Sequence, residues 1–444
     1  MTDHLAKRIN KKVSFRFYGR DLYFYLSMGL FSSFDIDTGT KQLLKTLAEK
    51  IDFSKINHLL DTGCGTGVIA VSLKKAFPHV SIDALDRDSL ALEITSENAR
   101  LNNTDISVYS GLDTLTVQPH HPDSPFADKK KYDLITTNIP AKAGLPVLRR
   151  FFLNGLASLS KNGHFAVVIV EPLRKTAENL IAELGAKIVF EVHISKHSVF
   201  IIQSDQKADT PLIHDTTFPG PYLRKDRLSF TGKNIASVLT TVFDLDGFDT
   251  IPIPSAVSAD CYAKLEPDQK TFLFWNPGQG HSAVMVLKKR FSQNRTDSKN
   301  CQCVLAGRDI LALLISHFNI MHEFPEISCT IVPAAGIEYL SGNLDMAGGR
   351  RAAGIEYLSG NLVKTDNSMF DFIGIEPDII AGFSYAETIN KDVPDFLSPR
   401  GTVVVSGKSS DIGKIAAPTH LLTTMHSKKT KGFRAVVLAH KNKK

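Results

Sequence analysis

Cysteine and tryptophan are scarce in this chain of 444 residues, which contains five Cys and one Trp. The cysteines are odd in number and sparse, a pattern that argues against a disulfide framework and predicts free thiols. Cys301 and Cys303 form a close pair, but no second pair follows at the spacing of a zinc site. We therefore expect no metal.

The chain also lacks a long hydrophobic run. None of its apolar stretches reaches the roughly 20 residues that a transmembrane helix requires. Its first residues, MTDH, do not show the basic and then apolar pattern of a secretory signal. The sequence therefore predicts no membrane partner and a cytoplasmic location.

Neither sign of charge is in large excess, since 52 Lys and Arg face 46 Asp and Glu, for a net charge of +6. This mild surplus permits an RNA partner through phosphate contacts without requiring one. The length is sufficient for two or three domains with sizeable cores.

Short apolar runs alternate with amphipathic stretches between residues 57 and 170. The predicted strands are residues 57–60, 80–85, 106–109, 132–137 and 165–170, and the helices between them are residues 68–77, 89–102 and 145–159. This alternation predicts a parallel sheet with helices on both faces. Residues 187–192 and 198–203 are expected to close the sheet as an antiparallel pair.

A glycine-rich turn, Asp61-Thr62-Gly63-Cys64-Gly65-Thr66-Gly67, follows the first predicted strand and precedes a helix. Glycines let the backbone approach a ligand closely, and the helix N-terminus adds unpaired N–H groups. Asp86 ends the second strand, where an acid accepts hydrogen bonds from ribose hydroxyls. Turn and acid together predict a nucleoside-type cofactor. The alternative role for Asp86 is a helix N-cap, for which Asp88 competes.

A second motif, Asn138-Ile139-Pro140-Ala141-Lys142-Ala143-Gly144, follows the fourth predicted strand. The Asn138 side chain can accept an N–H bond from a nitrogen nucleophile and orient it. Pro140 has no N–H and a fixed φ, which keeps the turn open. Lys142 is either a contact to an RNA phosphate or a solvated lysine. An ordinary strand-end turn is the alternative for the whole motif.

The second half repeats the first in outline. Residues 272–280, 308–313, 370–373 and 397–401 resemble residues 59–65, 87–92, 132–135 and 159–163. In this matching, the residues that stand at the positions of Asp61, Gly67, Asp86 and Asn138-Ile139 are Asn276, Ser282, Gly307 and Glu376-Pro377. The second copy therefore keeps the apolar pattern and loses the residues for cofactor chemistry.

A short duplication lies within the second half, because AAGIEYLSGNL occurs at residues 334–344 and again at 352–362. Two units are too few for a stacked repeat array, so an extended loop without assigned function is expected. The expected domains are residues 1–204 and 216–444, joined by a linker at 205–215.

The first domain resembles the class I S-adenosylmethionine (SAM) dependent methyltransferases of the small-domain group. Within them it is most similar to the guanine-N2 methyltransferases of small-subunit ribosomal RNA. The resemblance covers roughly residues 13–204 and includes Phe17-Tyr18-Gly19-Arg20, Gly29-Leu30-Phe31-Ser32 and Asp37-Thr38-Gly39-Thr40. It implies a Rossmann-like α/β domain with seven strands, followed here by a degenerate copy. In two-domain members of the family the degenerate copy usually comes first.

The resemblance also implies SAM as the cofactor and ribosomal RNA or a ribosomal subunit as the partner. The cofactor residues it implies are Asp61, Gly63, Cys64, Gly65, Gly67, Asp86, Arg87, Gly111, Leu112 and Asn138. The catalytic residues are Asn138 and Pro140, and the substrate residues are Phe31, Asp37, Thr40, Ile139 and Lys142.

The family usually has Asn-Pro-Pro at the second motif, whereas Ile139 replaces the first proline here. A flipped guanine would then be held by other rings, for which Phe31, Phe151 and Phe152 are candidates. Three functions stay open: methylation of a guanine amine in ribosomal RNA, methylation of a protein glutamine or a small molecule, and RNA binding without activity.

Overall fold

The computed structural model divides the chain into two compact units. The first unit is Met1–Tyr222 with Arg350–Gly360, and the second is Leu223–Gly349 with Asn361–Lys444. The structure describes residues 1–31, 33–114, 130–139, 144–194, 196–204, 218–231, 236–247, 249–265, 268–292, 295–340, 355–356, 369–378, 380, 382–416 and 421–441.

The first unit contains an α/β sheet preceded by a β-hairpin. Its strands are β1 Lys11–Phe17, β2 Arg20–Leu26, β3 His58–Thr62, β4 Ser81–Asp86, β5 Ser107–Ser110, β6 Tyr132–Asn138, β7 Leu159–Val170, β8 Ala186–Ile194 and β9 His197–Ser204. Its helices are α1 Asp3–Ala6, α2 Thr38–Lys50, α3 Val68–Ala76, α4 Ser89–Leu101, α5 Leu145–Ala157 and α6 Arg174–Glu183.

The strands of this sheet follow the order β5-β4-β3-β6-β7-β9-β8, and the short strand β15 (Ile355–Glu356) pairs with β5 at the edge. Strands β3 to β7 run parallel, and β9 runs antiparallel to both β7 and β8. The predicted strands, helices and closing antiparallel pair are confirmed, with ends that differ by a few residues except at β7, which begins at Leu159.

Both faces of the first sheet are buried, which explains the continuous apolar runs of its strands. Leu59 of β3 packs in a core with Leu43 of α2 and Val71 of α3. Its neighbour Leu60 faces the opposite core, with Phe152 of α5 and Leu180 of α6. The two cores hold the sheet between its helices. The carboxyl ends of strands β3 to β7, all on the same side of the sheet, are therefore fixed in place.

The second unit repeats this arrangement. Its strands are β10 Leu223–Thr231, β11 Ala236–Val242, β12 Thr271–Trp275, β13 Gln302–Gly307, β14 Ser328–Pro333, β16 Phe370–Ile375, β17 Leu397–Lys408, β18 Leu422–Thr430 and β19 Phe433–His440. Its helices are α7 Ile253–Tyr262, α8 His281–Arg290, α9 Ile310–Glu323, α10 Tyr385–Asp392 and α11 Ser409–Ile415. The strand order β14-β13-β12-β16-β17-β19-β18 matches that of the first sheet, which confirms the predicted second copy.

The residue matching between the two copies needs one correction. Gly63, Gly65 and Gly67 have φ values of +70°, +57° and +74°, and the same sequence of left-handed residues occurs at Asn276 (+53°), Gly278 (+57°) and Gly280 (+89°). Asn276 therefore corresponds to Gly63 and not to Asp61, and Gly280, not Ser282, corresponds to Gly67. The prediction was wrong by two residues because it matched letters, whereas strand ends and helix starts decide the register.

The first copy of the duplicated segment contributes a 3₁₀ turn, Ile337–Leu340, to the second unit. Among the described residues, no helix combines the length and the apolar character needed to cross a membrane.

Candidate functional site

The loop between β3 and α3, residues 63–67, is packed on one side and open on the other; we call it the glycine loop. The N–H groups of Gly63 and Cys64 donate to the Leu85 carbonyl at 2.8 and 3.1 Å, which ties the loop to the end of β4. A Cβ on Gly67 would lie 2.9 Å from the Thr95 side chain, whereas a Cβ on Gly65 would meet no atom within 4 Å. The open side at Gly65 is where a ligand can approach the backbone.

Asp86 lies at the end of β4 and faces the glycine loop. Its carboxylate accepts hydrogen bonds from the Gly65 and Asp88 N–H groups, both at 2.9 Å. Burial raises the pKa of Asp86 to about 6. Asp88, not Asp86, caps α4, since its side chain accepts from the Leu90 N–H at 2.9 Å. Because a carboxylate offers about four acceptor positions, Asp86 keeps capacity for a ligand hydroxyl.

Asp61 differs from its predicted role, because its carboxylate points into the protein. It is fully buried and accepts hydrogen bonds from the Ala70 N–H at 3.2 Å and the Thr136 hydroxyl at 2.9 Å. Burial raises the pKa of Asp61 to about 7. The carboxylate thus joins α3 to β6 beneath the glycine loop. The prediction that Asp61 contacts a ligand directly was therefore wrong.

Asn138 ends β6 and is held by two residues that lie about 100 positions earlier in the chain. Its Nδ2 donates to Asp37 Oδ2 at 3.0 Å and to Thr40 Oγ1 at 2.9 Å. A carboxylate only accepts, so the amide nitrogen must face Asp37 and the amide oxygen must point the other way. Asp37 is itself fixed as the N-cap of α2 by the Thr40 N–H at 3.1 Å. Three residues that the sequence predicted at the site are therefore in direct contact.

Two buried hydroxyls at the same edge of the sheet have no hydrogen-bond partner among the described residues: Thr137 Oγ1 on β6 and Ser110 Oγ on β5. Thr137 Oγ1 lies 4.0 Å from the position of a Cβ on Gly63, and the Phe151 ring lies 3.8 Å from that position. A polar ligand at this edge would give both hydroxyls the hydrogen-bond partner that buried hydroxyls usually have. The sequence offered no sign of them, because Thr and Ser are ordinary residues in a strand.

The segment after β5 is anchored by a buried ion pair. The Gly111 N–H donates to the Asp86 carbonyl at 3.1 Å. Asp113 accepts hydrogen bonds from Arg150 Nε at 3.0 Å and from the Tyr222 hydroxyl, and the Arg150 guanidinium lies 4.7 Å from the centre of the Tyr222 ring. Tyr222 lies beyond residue 204, where the first domain was expected to end. Leu112, between these anchors, is half-buried.

The other predicted site residues differ in how far their side chains are exposed. Cys64 is buried with its sulfur 3.6 Å from Thr95 Oγ1, and burial raises the pKa of its thiol. Arg87 is half-buried, and Phe31 is 58% exposed on the segment that precedes Asp37. Pro140 and Lys142 lie outside the described residues.

Two predicted ring or substrate contacts are corrected by the packing. Ile139 is 1% exposed and lies in the core with Leu148 and Phe152, so its side chain cannot face a substrate. Phe152 is fully buried and packs edge-on against Phe165 at 5.6 Å, which excludes it as a support for a flipped base.

Comparison with known proteins places this geometry in a family. A family model of the methyltransferase small domain matches residues 21–193. The uncharacterized protein YbxB of Bacillus subtilis is 30% identical over 157 residues, which cover 35% of this chain and 72% of that protein. The chain belongs to the methyltransferase small domain family.

Other relatives of this methyltransferase family match over a smaller share of their length. The ribosomal RNA small subunit methyltransferase C of Hahella chejuensis is 30% identical over 167 residues, 37% of this chain and 44% of that protein. The match therefore spans less than half of that relative. The same enzyme of Haemophilus influenzae (strain PittEE) is 33% identical over 131 residues, 29% of this chain and 35% of that protein.

A solved structure extends the likeness to both units. The T. thermophilus 16S rRNA N2 G1207 methyltransferase (RsmC), in complex with AdoMet and guanosine, superposes with a TM-score of 0.65 at 13% identity. The superposition covers 98% of this chain and 99% of that one. It confirms the predicted fold, a class I methyltransferase domain present twice.

In the second methyltransferase-like unit, side chains of the protein bond to one another at the carboxyl ends of β12, β13 and β16, which correspond to the candidate site of the first unit. Asn276 Oδ1 accepts from the Arg308 N–H at 3.4 Å, and Asn276 Nδ2 donates to the Glu376 carbonyl at 3.2 Å. A Cβ on Gly307, the residue that replaces Asp86, would lie 2.7 Å from Asn276 Oδ1. Glu376, in the place of Asn138, accepts from the Ser255 hydroxyl at 2.7 Å, and burial raises its pKa to about 7. This end of the second sheet keeps an open glycine, Gly278, but has no acid in the place of Asp86.

Proposed function

We propose that the first unit is a SAM-dependent methyltransferase that acts on the exocyclic N2 amine of a guanine in ribosomal RNA. The observation that carries the proposal is the fixed amide of Asn138, whose oxygen is turned away from Asp37 and Thr40 at the same edge as the glycine loop. The names of the Hahella relative and of the solved T. thermophilus protein, which holds AdoMet and guanosine, support this substrate and cofactor.

The residues present fit SAM. The open side of Gly65 would admit the cofactor to the backbone, Asp86 can accept its ribose hydroxyls, and residues 110–112, which follow from the end of β5, would border the base. The hydroxyls of Thr137 and Ser110, which have no partner among the described residues, would form hydrogen bonds with a bound nucleoside. When bound, SAM supplies a methyl group made electrophilic by its sulfonium.

Asn138 orients the amine that receives the methyl group. Its amide oxygen accepts an N–H bond, which draws the nitrogen lone pair out of conjugation and fixes its direction. Because the amide nitrogen is already bonded to Asp37 and Thr40, this orientation exists before the substrate arrives. A weakly acidic amine needs little help from a general base, and the proton can leave to water.

The affinity for SAM should depend on pH through Asp86. The raised pKa, about 6, means that this carboxyl is protonated at pH 5 and ionised at pH 7 in the free protein. Ribose hydroxyls bind the ionised form better, so binding at pH 5 must release a proton first. We expect the Kd for SAM to rise about tenfold from pH 7 to pH 5.

Isothermal titration across this pH range measures the effect, with Asp86→Asn as the comparison. This variant should bind SAM more weakly at pH 7 and change less with pH. A wild-type Kd that stays constant from pH 5 to pH 7 would rule out an ionised Asp86 as the ribose acceptor.

The substrate is tested by incubating the full chain with labelled SAM and small-subunit ribosomal RNA that lacks the modification. Label recovered as N2-methylguanosine is the expected result. Label in protein or in small molecules would favour the second of the three functions, and a protein that binds RNA without binding SAM would favour the third. Either outcome would reject the proposal.

We also propose that the catalytic domain extends beyond residue 204 to Tyr222, which supports the segment after β5 through Asp113. The degenerate second domain then begins at Leu223 and not at residue 216, and residues 205–215 belong to the catalytic domain and not to a linker. Acting on ribosomal RNA, the enzyme would work in the cytoplasm with the RNA or a ribosomal subunit as its partner.

A further inference from the structure

The hairpin β1–β2 carries a concentrated positive charge. Residues 11–26 contain one acidic residue, Asp21, and four basic residues, Lys11, Lys12, Arg16 and Arg20. Their net charge is therefore 4 − 1 = +3. The whole chain has a net charge of +6, so this short segment accounts for half of it. All five side chains are exposed, and the ion pair between two of them, Arg16 Nε to Asp21 Oδ1 at 3.9 Å, is solvent-exposed and therefore weak.

Two aromatic rings, Tyr23 and Tyr25, share the outer face of the hairpin with Lys12, Arg16 and Asp21, whereas Lys11 and Arg20 stand at the alternate positions of their strands. Lys12 is opposite Tyr25 and Ser14 is opposite Tyr23 in the strand register. The Lys12 ammonium lies 4.9 Å from the centre of the Tyr23 ring, and Tyr23 is 46% exposed. Basic residues interleaved with exposed rings suit a nucleic-acid backbone with unpaired bases.

The hairpin is fixed beside the glycine loop. The Tyr25 N–H donates to Asn98 Oδ1 at 2.7 Å, and Asn98 Nδ2 donates to the Thr66 carbonyl at 2.8 Å. Asn102 makes the same kind of bond with the Tyr23 N–H, at 2.9 Å. The outer face is therefore a rigid platform attached to the cofactor side of the domain.

The hairpin also connects to the segment that holds Asn138. Asn10 Nδ2 donates to the Ser33 carbonyl at 2.9 Å and Lys11 Nζ donates to the Phe34 carbonyl at 3.0 Å. Asp37 follows directly and binds Asn138. Phe34 is 66% exposed, so a large apolar ring stands in solvent on the segment that leads from the basic hairpin to Asp37.

We propose that the outer face of the β1–β2 hairpin and Phe34 form the surface that receives RNA. Lys12 and Arg16 bind the phosphodiester backbone, and Phe34 stacks on an unpaired base next to the guanine presented to Asn138. The charge of the hairpin is complementary to phosphate, and sequence-tolerant stacking on exposed rings is how unpaired RNA is held. This inference rests on the proposed function.

The test uses the full chain with Lys12→Ala/Arg16→Ala and, separately, Phe34→Ala. The matched controls are Lys161→Ala/Lys187→Ala, which remove two exposed lysines at the amino end of the sheet, and Val189→Ala, which removes another exposed apolar side chain. Fluorescence anisotropy gives the Kd for a labelled RNA hairpin with guanine in its loop, at about 50 and 200 mM salt. Titration of SAM verifies that the cofactor site is intact.

The double hairpin variant should raise the Kd for RNA about tenfold and lower the slope of log K against log salt by about 1.4, or about 0.7 for each lost phosphate contact. Phe34→Ala should raise the Kd about tenfold with an unchanged salt slope, because stacking is not ionic. Both should raise the KM for RNA with little change in kcat, and both should bind SAM as the wild type does.

The inference is overturned if the RNA Kd values of the hairpin variants and of their controls lie within about twofold of one another. It is also overturned if the wild type methylates RNA and the variants have the same KM for RNA as the wild type. The proposed function can fail separately. If RNA affinity falls as expected but no RNA receives label even from the wild type, the surface stands and the guanine-N2 activity does not.

Discussion

Replacement of Asn138 by alanine should abolish methyl transfer while leaving the cofactor bound. The amide oxygen that orients the amine would be lost, and pre-arranged hydrogen bonds of this kind contribute roughly 100- to 1000-fold in rate. The fold should survive, because Asp37 continues to cap α2 through the Thr40 N–H. Single-turnover transfer to ribosomal RNA measures the rate, and calorimetry measures SAM binding.

Thr40→Val is the informative companion to Asn138→Ala. It removes the Thr40 hydroxyl that holds Asn138 Nδ2 and leaves the contact with Asp37. We expect an intermediate loss of about tenfold in rate, since the amide keeps one of its two supports. If Asn138→Ala retained more than about a tenth of the wild-type rate, the positioning role of this amide would have to be abandoned.

The architecture could be predicted from the sequence because the sheet is buried on both faces. Strands such as β7 and β9 then contain continuous apolar runs, FAVVIV at residues 165–170 and VFII at 199–202, and helices such as α4 appear as amphipathic stretches between strands. The ends were less certain: residues 165–170 were predicted for β7, which begins at Leu159. Its first residues, LSKNGH, are polar and resemble a turn, although backbone pairing with β6 begins there.

The composition of the site was predictable, but the direction of its side chains was not. Sequence spacing placed both Asp61 and Asp86 at strand ends near the glycine loop. Only the structure reveals that Asp61 faces inward to Thr136 and Ala70, whereas Asp86 faces the loop. Such differences depend on rotamers and on contacts between residues far apart in the chain.

The error at Ile139 could have been avoided. Alternate residues of a strand share a face, so Ile139 was to be expected beside Ile135, and both do lie in the same core. The role of Tyr222 is different, because it arises from a contact with Asp113 over 109 positions, and no local pattern encodes such a contact.

Gly65→Ala should remove SAM binding, and the protein contains its own control for this change. Gly65 and Gly278 both have a φ of +57°, and a Cβ on either would meet no atom within 4 Å. Alanine at each position therefore carries the same backbone strain, about 1–2 kcal/mol, without a clash. Only in the first unit does the open side of the loop face a ligand site bordered by an acid, Asp86.

We expect the two variants to lower thermal stability to a similar extent and to differ in cofactor affinity. The new methyl group at residue 65 would occupy the space through which SAM approaches the backbone, so its Kd should rise roughly 50-fold or more, about 2.3 kcal/mol. Gly278→Ala should bind SAM as the wild type does, because Asn276 already crosses that edge and Gly307 supplies no carboxylate. Equal affinity in both variants would mean that SAM does not lie against the glycine loop, and loss of affinity in Gly278→Ala would place a cofactor in the second unit. The comparison thus separates strain in a left-handed loop, which both copies retain, from ligand binding, which depends on what surrounds the loop.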